Sequence, residues 1–174
     1  MKLRTIIILA IAILSSSVVF AQGAITPRKV NNVTLEALTG EKVQLPEWGK
    51  KNLMIFYVDP DKPKQNQEFT EEMEQNKRAS GANILGFGIM NLKDAPFVPN
   101  SLACKLANKR TEKNHATVLA DKDRILATAW NLGDCNNKFV LLVVTKEGEL
   151  VYIHKGEHSE AEKEEFYKFI EKYR

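Results

Sequence analysis

The strongest pattern in the chain is the apolar run Leu53–Val58, which ends at a turn and gives way to a long charged segment. Its aromatic and β-branched residues are typical of a central strand that is covered on both faces. Asp61 and Pro63 follow, and they favour a helix start, with Asp61 as the N-cap and Pro63 in the first turn. The expected helix, over residues 64–80, would begin at the carboxyl end of a central strand, where open α/β sheets bind their ligands.

The remaining pattern predicts a β-hairpin and then strands that alternate with helices. Apolar and polar residues alternate over residues 33–45, around a turn at Thr39-Gly40. Further strands are expected at residues 84–92, 116–120, 139–145 and 150–154, and further helices at 101–110, 126–132 and from 159 onward.

Two of these helices carry apolar pairs or stripes at helical spacing. Leu102 and Leu106 share one face of the helix at 101–110, and Cys104 points partly away from it. In the last helix, Ser159 and Glu162 predict a capping box, and an apolar stripe is expected in the core. That stripe consists of Phe166, Phe169, Ile170 and Tyr173.

The order of these elements indicates the fold class. Strands alternating with helices, followed by a closing antiparallel hairpin and a helix, predict an α/β fold with a mixed sheet flanked by helices. With 174 residues, the chain is long enough for one domain with its own core.

The first residues are typical of a cleavable export signal. Lys2 and Arg4 precede the apolar run Ile6–Leu14, and small residues then suit cleavage before Gln22. The expected organisation is a signal peptide over residues 1–21 and one domain over residues 22–174, with no stable membrane insertion after cleavage. A retained membrane anchor is the alternative, although the apolar run is short for a transmembrane helix.

Charge gives little information about partners. The chain has 25 Lys and Arg against 22 Asp and Glu, and removing Lys2 and Arg4 lowers the net charge from +3 to +1. A domain close to neutrality gives no electrostatic argument for binding nucleic acid or an anionic membrane surface.

The layout over residues 33–173 resembles the thioredoxin fold. In that family a segment of the form Phe-x-Ala-x-Trp-Cys-x-Pro-Cys ends the central strand, and Phe56–Lys64 aligns with it. The resemblance places Asp61 and Lys64 where the family has its two catalytic cysteines, while Pro63 keeps the intervening proline. The family's cis-proline before the penultimate strand is also missing, because Asn137-Lys138-Phe139 stands there. Thiol–disulfide exchange by the usual mechanism is therefore not expected.

Three shorter segments resemble the YtfJ-type family of periplasmic thioredoxin-fold proteins that lack the cysteine pair. They are Tyr57–Asp61, Ala129–Leu132 and Lys146–Leu150. The resemblance implies a periplasmic or secreted protein with an N-terminal β-hairpin and no cofactor, in a family without an established biochemical activity.

Cys104 and Cys135 are the sharpest chemical lead in the sequence. An oxidising compartment favours their pairing, and a disulfide closing this loop would stabilise the fold by about 3.5 to 4 kcal/mol in the chain-entropy model. Two unpaired thiols, or a redox pair that switches, are the alternatives.

Polar residues cluster after the central strand and offer a candidate binding site. Asp59, Asp61, Lys62 and Lys64, with Lys138 from the loop before the penultimate strand, could bind a polar ligand or partner, with Asp61 as a general base or cation ligand. The simpler alternative is a helix cap with solvated neighbours. His115, His154 and His158 lack the spacing of a zinc site.

The sequence thus predicts a binding or interaction module without redox turnover, whose partner is another exported protein or a small ligand. An atypical thiol–disulfide oxidoreductase or redox sensor using Cys104 and Cys135 is the alternative. A hydrolytic or metal-dependent enzyme using Asp61 is a third hypothesis.

Overall fold

The computed structural model describes residues 23–114 and 116–174, so the predicted signal peptide at 1–21 and His115 lie outside the described residues. Eight strands form one mixed sheet in the order β1-β8-β7-β4-β5-β6-β2-β3. The strands are β1 Ala24–Lys29, β2 Thr34–Ala37, β3 Lys42–Gln44, β4 Asn52–Val58, β5 Ile84–Asn91, β6 Val118–Asp121, β7 Phe139–Val144 and β8 Glu149–Lys155. The helices are α1 Gln67–Asn76, α2 Asn100–Asn114, α3 Ile125–Ala129 and α4 Glu160–Ile170.

The apolar run at the centre of the sequence becomes β4, at the centre of the sheet. It pairs in parallel with β5 and antiparallel with β7, and Val58 is level with both Met90 and Phe139. β6 continues the parallel part beside β5. The carboxyl ends of β4, β5 and β6 therefore meet at one edge of the sheet, close to the start of β7.

Each face of the sheet has its own apolar cluster. On one face, Phe69 of α1 and Phe166 of α4 pack with Met54 and Leu141. On the other, Leu126 of α3 packs with residues such as Ile55. These strand residues alternate between the two faces because successive side chains of a strand point in opposite directions.

α2 lies on the same face as α1 and α4. Its Ala103 packs against Ala120 of β6 and Met90 of β5, which are partners in the sheet. Met90 shares its face with Ile84, because the two are an even number of residues apart on β5. Among residues 23–114 and 116–174, no helix is both long enough and apolar enough to cross a membrane.

The structure confirms the predicted hairpin, the central strand and the helix cap near the end of the chain. β2 and β3 pair antiparallel around the turn at Gly40. Ser159 accepts the N–H of Glu162, whose side chain in turn accepts the N–H of Ser159. The mixed sheet flanked by helices also agrees with the predicted fold class.

β1 is a strand that the sequence pattern did not predict. Among the described strands it pairs with β8 alone, and its register shifts between Ala24 and Arg28. Pro27 lies within it, and proline is tolerated in a strand chiefly at an edge or an irregularity. A short edge strand with mixed polarity carries almost no periodic signal.

The predicted start of the first helix is wrong. α1 begins at Gln67, its N-cap is Asn66 in the left-handed region, and it ends at Asn76 rather than at Gly81. Asp61 does not cap it, because the backbone between Asp59 and Asn66 forms a series of turns instead. The carboxylate that organises this segment is Asp59, which accepts the backbone N–H of Asp61.

The apolar face predicted for the helix at 101–110 also differs. Leu102 and Leu106 do share a face of α2, but they are 47% and 56% exposed. The residue that packs against the sheet is Ala103, with Cys104 beside it. Periodicity identified the helix, but not which of its sides faces the core.

Candidate functional site

Asp59 holds together the two loops at the carboxyl edge of the central strands. It is fully buried, and its Oδ1 accepts the N–H of Asp61 at 2.9 Å. Its Oδ2 accepts the N–H of Asn137 at 2.6 Å, which fastens the loop after β4 to the loop before β7. Burial raises the pKa of this carboxyl group, and the two N–H donors partly oppose that shift.

Gln65 makes a second link between the same two loops. Its side-chain oxygen accepts the backbone N–H of Phe139, the first residue of β7. The N–H of Asn137, in the loop before β7, and the N–H of Phe139, at the start of β7, therefore both donate to side chains of the loop after β4. These two backbone N–H groups already have protein partners and are not free to bind a ligand.

The structure separates the other polar residues predicted for the site. Asp61 is half-buried, and its Oδ1 is buried without a hydrogen-bond partner. Lys62 and Lys64 are exposed. Lys138 turns to Asp134 at 2.5 Å, and this contact lowers the pKa of the Asp134 carboxyl. Asp59 and Asp61 thus lie in one turn, whereas the three lysines do not converge on them.

Lys64 instead borders a cavity of about 590 Å³ beside the start of α1. The cavity contains charged side chains of both signs and the ring of Phe69. Its lining consists of Lys64, Asn66, Gln67, Glu68, Phe69, Glu71, Glu157, His158 and Lys163. A second cavity, of about 380 Å³, lies at the other end of the sheet between Trp48 and the Lys146–Gly148 turn.

His158 is the most unusual residue of the larger cavity. Its backbone N–H and its Nδ1 both lie within hydrogen-bond distance of Asn66 Oδ1, at 2.8 and 3.2 Å. The side-chain NH₂ group of Asn66 donates to the carbonyl of Gly156, so the side-chain oxygen of Asn66 must be the acceptor toward the His158 ring. Nδ1 of His158 therefore carries the proton, and Nε2, which is buried without a partner, has a free lone pair.

The surroundings of His158 keep its ring neutral. It stacks on His154 with ring centroids 3.7 Å apart and packs against Phe69. Burial, followed by the proximity of His154, lowers the pKa of His158 to about 3. Sequence reasoning missed its link to Asn66, because the two residues are 92 positions apart in the chain.

A second buried polar network, also missed from the sequence, lies at the ends of β5 and β6. Asp121 accepts the backbone N–H groups of Ile125 and Leu126, at 2.8 and 3.0 Å, and so caps α3. The hydroxyl of Tyr57 donates to the same carboxylate at 3.2 Å. The only sequence signal is an aspartate directly after an apolar strand, with a short helix starting a few residues later.

Asp94, in the loop after β5, forms a separate group of polar contacts beside this network. It forms an ion pair with Arg124 and accepts a hydrogen bond from Asn91 at 2.6 Å. Asn91 is fully buried, and its own oxygen has no partner. Among the described residues, no group of three or more His, Cys, Asp or Glu side chains is arranged to hold a metal ion.

Cys104 and Cys135 are both free thiols in the structure, so the predicted disulfide is not formed. Cys135 is 2% exposed and belongs to the cluster around Ile55, whereas Cys104 packs with Ala103 on the opposite face of the sheet. Burial raises the pKa of Cys135. Neither thiol lies in the loop after β4.

No family model matches the chain, and no curated protein matches it. Many solved structures do share its fold.

Three of these similar structures have names that refer to thioredoxin or to disulfide chemistry. A thiol:disulfide interchange protein of the thioredoxin family from Chlorobium tepidum matches with a TM-score of 0.59 and 12% identity, over 86% of this chain and 97% of its own. The exposed lipoprotein thioredoxin Etrx1 of Streptococcus pneumoniae matches with a TM-score of 0.54 and 14% identity, over 82% of this chain and 99% of its own. The thioredoxin domain of a thiol-disulfide oxidoreductase from Bacteroides vulgatus matches with a TM-score of 0.53 and 13% identity, over 84% of this chain and 98% of its own.

The likeness extends over nearly the whole of each neighbour. At this level of identity it shows the fold alone, and the chain has a thioredoxin-like fold.

Proposed function

We propose that the chain is an exported binding module of the YtfJ type, built on a thioredoxin-like fold and inactive in disulfide exchange. The observation that carries the proposal is the loop after β4. Asp61 and Lys64 stand there, at the positions that the resemblance assigns to the catalytic cysteines, and Asp59 ties this loop to Asn137. A periplasmic or secreted location is part of the same proposal.

The chemistry of thiol exchange supports this proposal. The attacking group must be a thiolate, and a low pKa arises at a helix N-terminus or beside cationic groups. Cys135 is in the opposite situation, because burial raises its pKa. Cys104 packs on the other face of the sheet, so the alternative of a redox pair formed by Cys104 and Cys135 lacks the required geometry.

Disulfide reduction is the direct test. With dithiothreitol as the electron source, we expect the purified protein to leave the rate of insulin reduction at its uncatalysed level, while a thioredoxin in the same assay accelerates it. Acceleration that disappears in Cys104→Ser or Cys135→Ser would overturn the proposal and support the redox alternative.

The cavity beside Lys64 is where we expect a small polar ligand to bind. Its volume suits a ligand of amino-acid to dipeptide size, and its lining offers both cationic and anionic groups.

A ligand screen by thermal shift, using amino acids and dipeptides, tests this site. Lys64→Glu is expected to abolish a shift seen with the wild type. Lys62→Glu is the matched control, because Lys62 is exposed in the same loop but does not border the cavity. Equal loss of the shift in both variants would place the ligand elsewhere.

A further inference from the structure

Three of the four exposed large apolar side chains of the described structure lie in α2 or in the loop that leads into it. Phe97 is 86% exposed, and Leu102, Leu106 and Ile125 are 47%, 56% and 40% exposed. Phe97 lies in the loop that leads into α2, and the two leucines occupy exposed positions of that helix. An exposed group of this kind usually marks an interaction surface.

The fold brings the loop that carries Phe97 close to the segment that carries Ile125. β5 and β6 are parallel, and their last residues, Asn91 and Asp121, are partners in the sheet. The segments that carry Phe97 and Ile125 therefore leave the sheet side by side. The ion pair between Asp94 and Arg124 then joins these two segments.

The same region carries the positive charge of the domain. α2 contains four basic residues and one acid, a net charge of +3, whereas residues 22–174 together carry only +1. The rest of the domain is therefore at −2. The four basic residues are Lys105, Lys109, Arg110 and Lys113, and the acid is Glu112.

The positive charge and the apolar residues share one side of α2. Lys105 and Lys109 are exposed and lie within one helical turn of Leu102 and Leu106. A count over the whole chain conceals this uneven distribution, which is why the overall charge gave no argument for an anionic surface.

We propose that the outer side of α2, together with Phe97, docks on the surface of an anionic phospholipid bilayer. Exposed leucines and a protruding phenylalanine supply apolar groups that can enter a bilayer interface, and the neighbouring lysines supply cations that attract anionic lipids. The apolar groups enter the boundary between headgroups and acyl chains, and the lysines pair with the headgroup phosphates.

The structure disfavours two other occupants of this surface. A second copy of the chain would bring two helices of charge +3 together, and like charges repel. A small ligand needs a concave site, but neither of the two cavities described above includes a residue of α2. This docking is peripheral, and it does not depend on whether the protein exchanges disulfides.

Vesicle flotation tests the proposal, with the chain from Gln22 onward, which contains every described element. The residues before Gln22 are left out because the apolar run Ile6–Leu14 would bind vesicles by itself. We expect binding to vesicles of phosphatidylglycerol and phosphatidylcholine in equal parts, weak binding to phosphatidylcholine alone, and loss of binding in high salt.

Two variants separate the contributions of charge and apolar contact. Lys105→Glu with Lys109→Glu is expected to weaken binding by about 25-fold or more, at about fivefold for each lysine. Replacing Phe97, Leu102 and Leu106 by serine is expected to remove the binding that persists at moderate salt. These residues are exposed, so cooperative unfolding should be unchanged.

The matched control makes the same charge change elsewhere. Lys50→Glu with Lys168→Glu alters two exposed lysines outside α2 and should leave vesicle binding within about twofold of the wild type. Equal weakening by the control would reduce the effect to overall charge and overturn the proposal. Absence of binding to anionic vesicles would also overturn it. So would a wild-type protein that does not bind vesicles but binds an acidic protein through α2.

Discussion

The buried carboxylate of Asp59 accepts the backbone N–H of Asn137 at 2.6 Å, although the two residues are 78 positions apart. Through this bond one side chain fixes both loops at the carboxyl end of the central strand. Its second oxygen holds the N–H of Asp61, so neither oxygen lacks a partner. Asp59, rather than Asp61, is therefore the residue that organises this edge of the sheet.

Replacing Asp59 by alanine should destabilise the protein by about 2–4 kcal/mol. The change leaves the N–H groups of Asp61 and Asn137 without their acceptor, and each such hydrogen bond contributes about 1.5–3 kcal/mol. Removing the desolvation cost of the buried carboxyl group offsets part of that sum. Urea denaturation measures the loss. Asp134→Ala is the control, because this exposed aspartate makes a similar bond to the N–H of Asn136 in the same loop. It should cost less than about 1 kcal/mol, and an equal cost for both would contradict the role of Asp59.

The sequence predicted most of the sheet because its central strands are long apolar runs. A run such as Leu53–Val58 has few alternatives to a buried strand. The start of α4 was also predictable, since the bonds between Ser159 and Glu162 are local.

The predictions failed where the deciding contact is distant in sequence or weakly patterned. Asp61 is a residue type that favours an N-cap, but its N–H donates to the side chain of Asp59, and the helix begins only at Gln67. The cavity depends on Asn66 and His158, which only the folded chain brings together. Leu102 and Leu106 were predicted as a pair on one face, and the pattern could not show that the small Ala103 packs inward instead.

Both cysteines should be available as thiols in the unfolded protein without prior reduction. They belong to apolar clusters on opposite faces of the sheet, and a disulfide requires Cα atoms no more than about 7 Å apart. Intact mass after alkylation in denaturant should therefore show two adducts. In the native protein Cys104 should react first, since Cys135 is almost fully buried and its pKa is raised. No adduct before reduction would establish the Cys104–Cys135 disulfide instead.

Asp121 should matter more for stability than the tyrosine that donates to it. Asp121→Ala removes the cap of α3 and leaves the buried Tyr57 hydroxyl without its acceptor, which should cost about 3–5 kcal/mol. Tyr57→Phe removes one hydrogen bond while Ile125 and Leu126 still donate to the carboxylate. It should cost about 1–2 kcal/mol. Urea unfolding ranks the two variants, and a larger loss for Tyr57→Phe would show that the cap contributes little.

His158 should make the protein less stable as the pH falls below about 6.5. Its pKa is about 3 in the folded protein, compared with an ordinary value of 6.5. Between these values the unfolded chain takes up a proton that the folded protein does not, so acid favours unfolding. For one group the loss approaches about 1.4 kcal/mol for each pH unit. The charged and titratable groups that affect it are His154, Glu162 and Lys163.

His158→Phe isolates this contribution, because phenylalanine can keep the ring contact with Phe69 and cannot be protonated. At pH 7.5 the variant should be less stable than the wild type, since Asn66 loses its ring donor. At pH 4.5 the difference should move by about 2–3 kcal/mol in favour of the variant, which should then be the more stable protein, because only the wild type suffers the proton-linked loss. Urea unfolding at both pH values measures it, and nuclear magnetic resonance should show ring signals of His158 that do not titrate over this range. A constant difference between the two proteins, with ring signals that shift near pH 6, would mean that the ring is protonated in the folded state.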